Sequence, residues 1–376
     1  MDDDDETPDD LSLDATPFSL DFHGSRNALA VGLVTGEVCV HDLAAAEVRR
    51  FPAGSGSCRV VAWHHDTVLT GYESGAVVAW DVARGARVSH KKLDGAASAC
   101  LASETAYCVG DDLGNVYVWD ARAGDMLRAK PHEDFVSGIA AHDGLILACA
   151  ADGRLSVLEP RRNLDRVSTS DPQDDELLSI QVIKGGRKVV CGTQTGALVI
   201  WSWGRWGDSS DRALGHPESV DAMLKVDEDI LCTGSSDGLL RVVRVQPGLH
   251  LLGVLGDHDG FPIERLASNH DLSLVASLSH DTVVRFWDAR ELNTLGADDH
   301  ATDMAPAAPH HQQRANVDTD DLPDDDDSDW DTDDDTDMDN PTRHVPPQQR
   351  QKQKQQQQQQ RRRLKTKTEQ FFDGLA

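Results

Sequence analysis

The chain has 376 residues, a formal net charge of −29 at pH 7, and 39% hydrophobic and 5% aromatic residues. No apolar run approaches the 18 or so residues that a membrane-spanning helix needs, and outside the basic residues 340–376, the one place direct RNA contact is expected, the acidic chain lacks the footprint for tracking a nucleic-acid backbone. The opening Met1-Asp2-Asp3-Asp4-Asp5 differs from secretory and transit peptides, which begin basic.

Residues 1–15 read as an acidic N-terminal segment. From residue 16 to residue 297 one short unit recurs, intact as Ala79-Trp80-Asp81, Val118-Trp119-Asp120 and Phe286-Trp287-Asp288. Worn copies are Val40-His41-Asp42, Val157-Leu158-Glu159, Ile200-Trp201-Ser202 and Val242-Val243-Arg244. Steps between the central residues are 39, 39, 39, 43, 42 and 44 residues. Nine residues before the anchor stands a small residue (Gly32, Gly71, Gly110, Cys149, Gly192, Gly234), with Leu278 the exception. Five residues before it stands Gly36, Gly75, Gly114, Gly153, Gly196 or Gly238, with Thr282 in the last unit. The second glycine predicts a tight hairpin at positive φ. After it, Val116-Tyr117-Val118-Trp119 alternates as a half-buried strand does. Such a unit is a meander that cannot bury its own faces, so neighbours stack around a ring. A period of 39–44 residues ending in Trp-Asp resembles the WD40 repeat, and seven anchors predict an all-β, seven-bladed WD40 β-propeller. The outer strand of the last blade is expected from Leu11–Ala15 or from Glu291–Leu295.

Seven cysteines (Cys39, Cys58, Cys100, Cys108, Cys149, Cys191 and Cys232) are scattered without zinc-site spacing, which fits a reducing compartment. No phosphate loop, metal set or cofactor motif stands out. The last unit holds His258, Ser277, Asp281 and Trp287, and partial copies (His216, Thr233, Asp237; His132, Asp152) recur upstream. A catalytic triad is used once in a chain, whereas a scaffold network recurs with its repeat. In WD40 proteins these positions tie the loop before a blade to its third strand, so Trp80, Trp119, Trp201, Trp287, His258, Ser277 and Asp281 are assigned as structural anchors. Between the fifth and sixth units, Trp203 and Trp206 flank Arg205; they either fold back over the blade edge or form an exposed contact patch.

Beyond residue 297 the pattern stops. Residues 318–339 contain fourteen Asp, and residues 340–376 reverse sign with nine Lys or Arg against two acids. This low-complexity tail, residues 298–376, is expected to be disordered, because it has too little apolar surface to offset chain entropy. Ser328, Thr332 and Thr336 each have Asp three residues on, the context of acidophilic kinases. Trp330 is a lone aromatic within the acid run and a candidate partner anchor. The basic cluster Arg361–Lys367 reads as a nuclear-import signal. Subtracting the terminal blocks leaves about −15 on residues 11–317, so protein partners, basic ones especially, are expected for the propeller.

Several stretches resemble the WD repeat-containing protein 55 family and its fungal counterpart. These are Trp203-Gly204-Arg205-Trp206-Gly207-Asp208, Glu218-Ser219-Val220-Asp221, Ile230–Gly238, Pro17–His23 with Leu29–Gly32, and Phe371-Phe372-Asp373-Gly374-Leu375. The resemblance implies a non-enzymatic nucleolar factor in ribosomal RNA production and large-subunit biogenesis. Its partners would then be pre-ribosomal assembly factors or basic ribosomal proteins, with Phe371 and Phe372 as a terminal apolar anchor. A second resemblance lies in Trp119-Asp120-Ala121-Arg122 and Trp287-Asp288-Ala289-Arg290. Both match the Trp-Asp-x-Arg box by which some WD40 proteins dock on the adaptor of cullin-4 ubiquitin ligases, with Arg122 or Arg290 as the contact.

Overall fold

The computed structural model describes residues 7–103, 106–121, 125–245 and 248–292. They form seven antiparallel four-stranded sheets, each a blade of one ring. Blade 1 runs Pro17–Phe22, Ala28–Leu33, Val38–Asp42 and Glu47–Phe51 from axis to rim, and blades 2 to 6 repeat that order. Blade 7 breaks it. Its three inner strands are Arg265–Ser268, Leu274–Leu278 and Val283–Asp288, and its outer strand is Leu11–Ser12 from the opposite end of the chain.

Leu11 pairs with Val284 and Ser12 with Val283, while Leu13 N–H donates to Thr282 O at 2.8 Å. Phe286 N–H reaches the Asp10 carboxylate at 3.1 Å. The ring therefore closes with the Leu11–Ala15 candidate and begins at Leu11, before the residue-16 boundary expected from the repeat. Leu292, of the other candidate, is buried with Val226 and Ile263 between blades 6 and 7.

The apolar residues form seven clusters among the described residues, one in each gap between adjacent blades. The glycines explain how close those blades come. A Cβ at Gly71 would lie 2.5 Å from Val60 and 2.7 Å from Ala97, so the small residue admits the next inner strand. The hairpin glycine has a second role. Gly114 sits at φ +83°, and a Cβ there would be 2.3 Å from the His132 carbonyl entering the next blade. Gly36, Gly75, Gly153, Gly196 and Gly238 share that positive φ, whereas Thr282 keeps ordinary backbone.

Side chains also stitch the inner strands around the axis. Ser19 Oγ accepts Val61 N–H at 3.0 Å and Asp21 accepts Trp63 N–H at 2.8 Å. Ser98, Ser137 and Ser179 hydroxyls donate to carbonyls of the following blade at 2.7, 2.6 and 2.8 Å. These strands surround an axial cavity of about 380 Å³.

Candidate interaction surface

The polar set of the last unit converges on one hydroxyl. Ser277 Oγ lies 2.6 Å from His258 Nε2 and accepts Trp287 Nε1–H at 2.7 Å, with Ser277 and His258 fully buried. Asp281 instead accepts Val283 N–H at 3.2 Å, and His258 Nδ1 has no hydrogen-bond partner among the described residues. Burial, then the Arg285 charge, hold the His258 pKa below the ordinary imidazole value. It is a neutral strut rather than a base facing solvent.

The partial copies carry other fragments of the same network. His132 Nδ1 lies 3.1 Å from both Asp152 oxygens, and Nε2 lies 3.2 Å from the Ala148 carbonyl. Burial raises the Asp152 carboxyl, but the His132 contact together with the Glu133 and Arg154 N–H bonds leaves the pKa below the carboxylate norm. His216 Nε2 meets Thr233 Oγ1 at 2.8 Å, while Asp237 turns away to pair with Arg241. At the anchor tryptophans, the residue ten positions earlier decides whether the indole N–H is satisfied. Trp80 donates to Thr70 at 3.3 Å, whereas Trp119 and Trp201, with Val109 and Cys191 at that position, have no indole partner among the described residues. Sequence reasoning missed Asp111, which is fully buried and accepts from Asn115 and Tyr117. Its signal was the Asp-Asp-Leu-Gly-Asn turn, rich in residues that bond their own backbone.

Trp206 is 7% exposed and packs with Trp201 under blade 5, so it leaves the candidate contact surface. Trp203 stacks edge-on against both Trp206 and His142, with ring centroids 5.0 Å apart in each case. The pair folds back over the blade edge because the backbone turns at Gly204, φ +79°, and Ser202 bridges to Arg205. Arg290 is engaged within its own turn. Its Nε and Nη2 donate to the two Asp288 oxygens at 2.9 and 2.5 Å. That contact draws the Asp288 carboxyl down to about 2. Arg122, Trp330, Phe371, Phe372, Ser328, Thr332 and Thr336 lie outside the described residues.

The ring sorts its charge between two faces. Loops alternate along the chain, so those entering each blade and those joining its second and third strands share one face. Described residues of these loops include seventeen Asp or Glu, among them Glu133, Asp134, Asp171, Asp174, Asp175 and Glu218, against two cations, Lys130 and Arg154. Loops of the opposite face hold nine acids and eight cations among the described residues, the latter including Arg26, Arg161, Arg162, Lys184 and Arg187. Arg50, Arg59, Arg128, Arg241 and Arg285 of the adjoining strands pair with Asp14, Glu37, Glu73, Asp94, Asp237 and Asp259, so the first face is net acidic chiefly at Glu133, Asp134, Asp171, Asp174, Asp175 and Glu218, while the other is nearly balanced. Net charge alone could not show this, because sidedness depends on which loops meet. Among the described residues no group of three or more His, Cys, Asp or Glu is arranged to hold a metal ion.

Ring, anchors and spacing define a WD40-repeat propeller, and a solved chain of the mitotic checkpoint complex shares the fold. It superposes with a TM-score of 0.67 at 15% identity, over 76% of this chain and 92% of that one. The chain belongs to the WDR55 family, whose sequence model matches residues 8–292. It is similar to WD repeat-containing protein 55 of Arabidopsis thaliana, 36% identical over 75% of this chain and 83% of that protein. The human WD repeat-containing protein 55 is 34% identical over 78% of this chain and 80% of its own. WD repeat-containing protein JIP5 of Cryptococcus neoformans is 33% identical over 73% and 80%.

Proposed function

We propose that this chain is a non-enzymatic scaffold serving nucleolar ribosomal RNA production and processing and assembly of the large ribosomal subunit. In this reading the acidic face receives basic assembly factors or basic ribosomal proteins. The observation that carries it is the concentration of seventeen acids in the loops of one face, only six of them paired with strand arginines. A face of one sign raises the local concentration of oppositely charged partners and speeds their encounter. The non-enzymatic part is supported by the His, Ser and Asp residues, whose polar atoms bond anchors and backbone inside the blades.

Depletion of the protein tests this reading: unprocessed large-subunit RNA precursors should accumulate, and the tagged chain should concentrate in nucleoli. Affinity purification should recover basic large-subunit proteins or their assembly factors, with recovery falling steeply as salt rises. Normal precursor processing after depletion, or a purely cytoplasmic chain, would overturn it. Recovery of cullin-4 with its adaptor instead would place the chain among ubiquitin-ligase receptors. For that role the Asp288–Arg290 pair would have to open.

A further inference from the structure

The axial cavity is lined by charges that the fold leaves without counter-ions. Asp221 of blade 6, Arg265 of blade 7 and Asp21 of blade 1 reach it from three successive blades of the ring. Asp21 Oδ2 accepts Trp63 N–H at 2.8 Å, and Asp221 Oδ2 accepts the Ser219 and Ser236 hydroxyls at 2.7 and 2.8 Å. Arg265 Nη1 donates to the Glu264 carbonyl at 2.9 Å. Among the described residues none of the three forms an ion pair, and the neighbouring Glu264 carboxylate is taken by His280. Burial pushes the Asp21 carboxyl up to about 7. Burial, ahead of the Glu264 charge, also raises that of Asp221 despite Arg265. Both behave as carboxylates short of a cation.

The register of the inner strands sets the heights of these groups. Ser19, Ala222 and Arg265 occupy equivalent places, opposite Gly32, Gly234 and Leu278. Asp221 is therefore one residue nearer the acidic face than Arg265, and Asp21 lies two residues deeper than it. At about 3.3 Å per residue, the two carboxylates stand roughly 10 Å apart along the axis. The guanidinium belongs with the upper one. Leu20, Ile139, Ile180 and Met223 add apolar wall to the same cavity.

We propose that this cavity binds a free basic α-amino acid, L-arginine or L-lysine. The α-carboxylate sits on Arg265 and the α-ammonium on Asp221, two protein groups one residue apart in height, as the two ligand groups share one carbon. The side chain runs down the axis along the apolar wall and brings its cation to Asp21. Two anions and one cation of the protein thus meet two cations and one anion of the ligand. A ligand of a single sign leaves at least one of the three unmatched, which in a buried site is costly. The free amino group matters as well. A residue inside a peptide has an amide there, with no charge to offer Asp221.

Calorimetric titration of the full chain with L-arginine and L-lysine tests the proposal, and at least one of them should saturate at one ligand per chain. Analogues separate a built site from the pull of an acidic surface. Agmatine keeps both cations of arginine but has no carboxylate, so a merely acidic surface takes it in preference to L-arginine. The cavity should rank them the other way, by about tenfold or more, because agmatine leaves Arg265 unmatched. L-Citrulline, uncharged at the end of its side chain, should also bind about tenfold or more weakly than L-arginine. Asp21→Asn should erase the preference for L-arginine over citrulline, and Arg265→Met the preference over agmatine, each with wild-type circular dichroism. No saturable binding of either amino acid up to about 10 mM overturns the inference. Agmatine bound as tightly as L-arginine by the wild-type chain overturns it too. Neither result bears on the acidic face as a receiver of basic proteins, which is read from co-purified partners.

Discussion

Removing residues 1–13 should open the ring, and the cost can be estimated from the contacts at blade 7. The deletion loses the two-residue ladder to Val283 and Val284, the Leu13–Thr282 bond and the Asp10–Phe286 bond. At about 0.5–1.5 kcal/mol net each, four such bonds amount to roughly 2–6 kcal/mol. Leu11 and Leu13, half-buried against the cluster that joins blades 7 and 1, add about 1 kcal/mol apiece. Ordering four residues opposes this by roughly 4–8 kcal/mol of backbone entropy, which offsets much of the gain. Gain and cost nearly cancel, so the net loss should be no more than about 1–3 kcal/mol. For a domain of this size that lowers the melting midpoint by roughly 3–10 °C. The assay is thermal or urea unfolding of the intact and shortened chains, with a third lacking only residues 1–8 as control. A shortened chain that melts with wild type would refute the reasoning and show that closure does not depend on Leu11–Ser12.

Replacing Gly114 by Ala forces a Cβ to 2.3 Å from the His132 carbonyl at positive φ and should destabilise by about 2–4 kcal/mol; an unchanged urea midpoint would contradict the close approach. Ser277→Ala removes the common partner of the His258 ring nitrogen and the Trp287 indole N–H, leaving both unsatisfied at about 1–3 kcal/mol, read as loss of midpoint without change of secondary structure. Burial pushes the Asp21 carboxyl up to about 7, so its protonated form is the one the fold favours. Its contribution is complete below about pH 4 and disappears as pH rises through 7. Asp21→Asn should therefore stabilise the protein at pH 8 by about 1–2 kcal/mol, less than the full shift implies because the axial cavity is open to solvent, and lose that advantage near pH 4. A stability difference that does not vary with pH would remove Asp21 as its source.

What could be read from the sequence was whatever the repeat imposed. Each turn of the ring poses the same two steric problems, a hairpin at positive φ and a close approach between blades. Gly75 and Gly71 answer them in blade 2 as Gly114 and Gly110 do in blade 3, so blade number was legible. Features used once were not. Leu11-Ser12 is too short for any alternation, and its partner lies at the other end of the chain. Trp206 sits in a glycine-flanked loop whose direction no periodicity fixes, and only the packed structure shows it covering Trp201. The inner-strand serines looked like ordinary polar positions until the neighbouring blade supplied their carbonyl partners. Acidity was visible as a sum, but its concentration on one face required the topology that brings alternate loops together.

Closure by Leu11–Ser12 also sets an order of events during synthesis. The strand Leu11–Ser12 leaves the ribosome some 270 residues ahead of its partner, Val283–Val284. At roughly 5–20 residues per second that interval is about 15–50 s. As blades 1 to 6 are completed in turn during it, the two-residue strand stays without its partner. Final locking of the ring is thus a late, long-range step, and a bulky fusion at the N-terminus would burden the chain at the moment its two ends must meet.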